Sequence, residues 1–152
     1  MIAEKNIKEQ HYRKLVDILG KKDIHNKIES PFDFIVIANA GVKASAISNF
    51  SVYFDLSKNR TAQMLNISEP TLYRWTKSDK NLERNFSVNL IEKTDLFLYG
   101  EEIFGNKQLF FQWLALPNTA LGGMQPQELI EIPEGVSKVR DLLGRIEYGV
   151  YS

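Results

Sequence analysis

The sequence predicts an all-α fold in two helical parts. Two observations carry that expectation. Apolar residues recur at threes and fours through almost every segment, and Pro70, Pro117, Pro126 and Pro133 fall where helices begin or stop. The chain has 152 residues, and about half of them are apolar once glycine is counted, the share of a folded domain. That length suits one domain or two small ones. With no cysteine, a disulfide scaffold, a CxxC redox site and a thiolate zinc site are all excluded, so packing alone must hold the fold. A cytoplasmic setting fits this. The first residues lack the apolar centre of a signal peptide, and no run of about 18 apolar residues could span a bilayer. Asn66-Ile67-Ser68 has the form of a glycosylation acceptor, which is incidental in a chain that is not secreted.

The first 31 residues read as a helical extension: Tyr12, Leu15, Val16 and Leu19 give one short amphipathic helix, followed by Gly20 and a Lys21-Lys22-Asp23 break. Its apolar face is too small for a membrane anchor, so packing is its expected role. Phe32 to Ala40 fits either a buried strand or a short buried helix. Gly41 allows a turn, and Ala44, Ile47, Phe50, Phe54 and Leu56 describe a helix with one buried face. Ser57 or Asn59 can cap the next helix and Ser68 the one after, with Pro70 in its first turn. Further helices are expected over Val88 to Tyr99, Lys107 to Leu116, a short piece from Pro126, and Pro133 to Glu147. Domain boundaries follow at 32–93 and 94–152. There is no internal repeat, and Pro117 to Gln125 is the longest loop.

Lys58 to Trp75 has the pattern of a helix-turn-helix. Two helices crossing steeply need a small residue at the contact, here Ala62, and a residue tolerant of left-handed backbone in the turn, here Asn66. Leu72 and Trp75 face inward, which leaves Ser68, Glu69, Thr71, Tyr73, Arg74 and Lys77 outward, with Lys58 and Arg60 on the first helix. Hydroxyls and cations on that face suit phosphates, and Arg74 suits a guanine edge in a major groove. A helical hairpin that never meets DNA has the same packing pattern.

Charge divides the same way. Lys+Arg and Asp+Glu are both 19, but residues 1–93 hold about 15 basic and 11 acidic side chains, against about 4 and 8 beyond. A swing of this size can arise by chance; it also fits two surfaces for different partners. Catalytic signatures are missing: His11 and His25 stand apart without HExxH, there is no GxSxG, P-loop or GxGxxG, and Glu101-Glu102 reads as a solvated face. No enzyme activity, cofactor or metal is expected.

Ile103-Phe104-Gly105, Trp113-Leu114, Pro117-Asn118, Ala120-Leu121-Gly122-Gly123, Pro126 and the ending Leu143-Gly144-Arg145-Ile146-Glu147-Tyr148-Gly149 resemble the Xre/MbcA/ParS-type antitoxins of bacterial RES-Xre toxin-antitoxin pairs. The resemblance runs from about Phe34 to the last residue. It implies an Xre-like helix-turn-helix domain that binds operator DNA as a homodimer, followed by a small helical toxin-binding domain. The implied partner is a RES-domain toxin that degrades NAD, with a ParT-like ADP-ribosyltransferase as the other possibility. The C-terminus is then a plug for the toxin active site, made of Arg145, Glu147, Tyr148, Val150, Tyr151 and the Ser152 carboxylate. A cleft for an anionic dinucleotide offers cations and aromatic walls, which such a tail can match; ordinary fraying is the alternative for any last residues. The family often ends its recognition helix with paired arginines, whereas this chain reads Tyr73-Arg74-Trp75, which points to a different operator or a greater reliance on dimer avidity. The rival reading is a plain dimeric helix-turn-helix repressor whose second domain binds a ligand or only dimerises.

Overall fold

In the computed structural model, which describes residues 2–20, 24 and 27–149, helix α1 spans Ile2–Gly20, well beyond the short helix expected. It buries Tyr12, Leu15, Ile18 and Leu19 as one stripe, and Val16 is half-buried. The ambiguous run is a helix, α2 (Phe32–Ala40), started by the Asp33 carboxylate, which accepts from the Glu29 and Ser30 N–H groups at 2.8 and 3.2 Å. It buries Phe34, Ile37 and Ala38 but exposes Phe32, Ile35 and Val36, so it is one-sided rather than enclosed. Gly41, at φ 109, turns the chain into β1 (Val42–Lys43), which pairs antiparallel with β2 (Asn81–Leu82), Val42 opposite Leu82. Strands of two residues are too short to leave a periodic signal, so the sequence does not predict the ladder.

Helix α3 (Ser45–Tyr53) stops short of Leu56 because Asp55 takes a left-handed conformation at φ 55. Phe54 still enters the core, edge-on to Phe50 at 5.1 Å. Then come α4 (Lys58–Leu65), α5 (Glu69–Ser78), the long α6 (Arg84–Phe104) and α7 (Lys107–Leu114). The last of these closes two residues before the expected Leu116, through tight bonds from Ala115 N–H to Gln112 O and Leu116 N–H to Trp113 O, both 3.2 Å. A 3₁₀ turn (Thr119–Leu121) and α8 (Pro126–Leu129) precede α9, which occupies Pro133–Glu147 as expected.

The chain forms two compact units, Met1–Asp95 and Leu96–Ser152, divided within α6. The first is built on Leu15, Ile37, Ile47, Phe50, Leu65, Leu90 and Ile91. It also buries polar groups in pairs: His11 Nε2 meets Asp95 Oδ1 at 2.6 Å, and the fully buried Lys93 donates from Nζ to the Met64 carbonyl at 2.6 Å. The second is aromatic, with Phe97 edge-on to Phe110 and Phe111 at 5.7 and 5.3 Å, and Trp113 stacked over Phe110 at 6.2 Å. Among the described residues no buried side-chain polar atom lacks a partner, and no helix is long and apolar enough to cross a membrane.

Candidate functional site

The first candidate surface is built on the α4–α5 turn. Ser57 caps α4 by accepting from Arg60 N–H at 3.1 Å, so of the two possible caps the serine is used. Asn66 ends α4 at φ 57 and ψ 45, the left-handed conformation expected of it, and Ile67 N–H reaches back to Ala62 O at 3.0 Å. The Ser68 hydroxyl then accepts from Thr71 N–H at 3.2 Å and starts α5. Ala62, Leu65 and Leu72 are buried; Trp75 is half-buried, edge-on to Phe86 at 4.9 Å with the Lys80 ammonium 5.1 Å from its ring centre. Beneath the turn, Lys93 places its ammonium on a carbonyl of the last turn of α4, where the helix dipole favours a cation.

The eight residues expected on this face fall into distinct settings. Ser68 Oγ and Arg74 Nη2 both donate to Thr71 Oγ1, at 2.8 and 3.2 Å, so the Arg74 guanidinium is tethered along the helix surface instead of extending at random. Ser68 thereby acts as a helix cap as well as an exposed hydroxyl. The Lys77 ammonium lies 5.4 Å from the centre of the Tyr73 ring, a cation–π pair one turn apart. Lys58 of α4 and Glu69 and Tyr73 of α5 also line, with Val52, Pro70 and Thr76, a mainly apolar groove of about 630 Å³ beside α3. Arg60 is half-buried, and burial lowers the pKa of its guanidinium below the ordinary arginine value. The groove is not legible in the helix-turn-helix pattern, because Val52 lies on a helix outside it.

The second candidate surface is the end of α9. Val136, Val139, Leu142 and Leu143 bury one face of that helix. It can approach α8 closely because Gly135 has no side chain: a Cβ there would lie 1.6 Å from the Leu129 carbonyl oxygen. The opposite face delivers Arg145, Glu147 and Tyr148 to the surface, with Tyr148 N–H bonded to Gly144 O at 3.1 Å and Gly149 left-handed at φ 71. Tyr99 of α6, which sequence reasoning missed, donates its hydroxyl to Glu147 Oε1 at 3.2 Å, while the Arg140 guanidinium sits 5.1 Å from its ring centre. Burial first, and the Glu147 carboxylate second, push the Tyr99 phenol up to about 12. Glu147 is thus anchored to α6, and Arg145 and Tyr148 beside it in sequence are exposed. Val150, Tyr151 and Ser152, the other expected plug residues, lie outside the described residues.

The described residues thus carry a helix-turn-helix in one unit and, in the other, a set of helices whose last described turn is exposed, aromatic and charged. Residues 100–149 match the antitoxin Xre/MbcA/ParS C-terminal toxin-binding domain. The chain is 25% identical over 113 residues to the protein named Antitoxin Xre from Yersinia enterocolitica, covering 74% of this chain and 76% of that one. It is 24% identical over 132 residues to a Prs ADP-ribosylating antitoxin from a Sphingobium species, covering 81% and 83%. The family resemblance drawn from the ending and from the Trp113 to Gly123 motif is therefore found independently: residues 100–149 match an antitoxin toxin-binding domain, and most of the chain is similar to two proteins named as antitoxins.

Proposed function

We propose that this antitoxin neutralises a RES-domain, NAD-degrading toxin by inserting its C-terminus into the toxin active site, and that it represses its own operon by binding operator DNA as a homodimer. The observation that carries the first part is the exposed last turn of α9, where Arg145 and Tyr148 flank a Glu147 held by Tyr99. A tail leaving such an anchored turn starts from a defined direction, which reduces the ordering cost of entering a cleft. The chain acts in this reading by occupation, not catalysis. Deleting Tyr148 to Ser152 is expected to abolish inhibition in an NAD-consumption assay with the purified toxin; full inhibition by the truncated chain would overturn the plug.

The second part rests on α5, whose Thr71-tethered Arg74 and exposed Lys77 are suited to a base edge and a phosphate respectively. The relative named a Prs ADP-ribosylating antitoxin favours a second partner chemistry, a toxin that transfers ADP-ribose to a protein. The two toxins differ in product: label from NAD ends as free ADP-ribose in one case and on a protein acceptor in the other.

A further inference from the structure

From Ala115 to Gln127 the chain carries no charged side chain, in a sequence that is 25% charged. This is surface, not core. Leu116 is 60% exposed and Met124 43% exposed, and they stand on either side of the point where the loop closes on itself. The closure is firm: Asn118 N–H donates to Met124 O at 3.0 Å, Gly123 N–H to Asn118 O at 2.9 Å, and Ala120 N–H to the Asn118 side-chain oxygen at 2.9 Å. Gly122 and Gly123, at φ 65 and 86, supply the left-handed backbone that the reversal needs, and Leu121 pins the loop to the core at 8% exposure. Leu109, on α7 before the loop, is also 48% exposed. Carboxylates follow immediately after this uncharged stretch, at Glu128, Glu131 and Glu134.

A hydrogen-bonded apolar knuckle without charge, preceded by Lys107 on α7 and followed by three carboxylates, has the composition of an interface centre and a predominantly acidic rim. Its preset conformation spares a partner the cost of ordering it. We infer that this knuckle, centred on Leu116 and Met124, is a second toxin-docking anchor, separate from the C-terminal plug, and that it fits an apolar depression on the toxin bordered by basic side chains. The occupant is assigned to the toxin because the knuckle lies wholly within the segment that matches a toxin-binding domain, and because the acidic border favours a basic partner surface over a second copy bearing the same carboxylates. The inference rests on the antitoxin reading and adds a site to it.

The test uses the full-length chain and the toxin encoded beside it, with affinity measured by titration calorimetry. Leu116→Asp and Met124→Asp are expected to weaken binding at least tenfold. Thr119→Arg, at an exposed position in the same loop that contributes nothing to the core, is expected to do the same and guards against a loss of folding in the other two. Deletion of Tyr148 to Ser152 is expected to leave measurable binding while inhibition is lost. Wild-type affinity in all three knuckle variants would overturn the inference and leave the plug standing. Failure of the wild-type chain to bind that toxin at all would overturn the antitoxin–toxin pairing itself.

Discussion

Two residues show how single side chains set the properties of each unit. Lys93 is fully buried with its ammonium on the Met64 carbonyl, so it completes the end of α4 from the opposite side of the core. Lys93→Met keeps most of the apolar stem and removes the donor. It is expected to cost about 1–3 kcal/mol, the penalty for an unsatisfied buried acceptor, read as a lower midpoint in urea. Tyr99 makes a pH prediction. Its phenol is pushed up to about 12 from an ordinary 10, so its bond to Glu147 contributes fully below pH 10 and is lost as pH rises through 12. Tyrosinate absorbance is expected to show one late-titrating phenol, which Glu147→Gln shifts back toward 10. A titration curve unchanged by that substitution would show that the carboxylate does not govern Tyr99.

Among the elements, α5 and α9 carry the candidate surfaces, and each yields a different kind of test. On α5, Arg74→Ala is expected to cost roughly 1–3 kcal/mol of operator affinity, confined to one base-pair position, as loss of a bidentate base contact does. Lys77→Ala is expected to weaken operator and random DNA alike and to flatten the salt slope by about one unit. Equal losses on both DNAs for both variants would remove base reading from Arg74. On α9, Gly135→Ala sets a methyl group against the Leu129 carbonyl and must open the α8–α9 contact; a loss of about 2 kcal/mol or more is expected in a thermal melt, as for overpacked cores. These elements were legible to different degrees. The span of α9, the left-handed Asn66 and the Ser68 cap follow from local rules that nothing else in the fold opposes. The β1–β2 ladder and the groove beside α5 depend on residues distant in sequence, which periodicity does not join. Lys93 lies between: three residues from Leu90 and three from Leu96, it sits on the apolar stripe of α6, but a lysine there can carry its ammonium out to water, and only the fold shows that it reaches the Met64 carbonyl instead.

At the scale of the whole molecule, the equality of 19 basic and 19 acidic side chains conceals the opposition between its parts. The candidate DNA face of one copy offers four cations, Lys58, Arg60, Arg74 and Lys77, and Arg60 is half-buried. If all four met phosphates, the logarithm of operator affinity would fall with that of salt at a slope no steeper than about −3.6, and a homodimer doubles this to about −7. A single copy with so shallow a slope gains little from electrostatics at physiological salt, so the proposed repression requires two copies bound together. Fluorescence anisotropy with an operator fragment over a range of salt, at fixed full-length protein, is expected to give a slope steeper than −3.6, and sedimentation of the same samples to give two chains per site. A slope shallower than −3.6 with one chain per site would remove the dimer from the mechanism. Toxin added to the same samples provides an internal contrast: it is expected to engage the acidic unit, which faces a different partner, and so to leave the steep salt slope of the basic one in place.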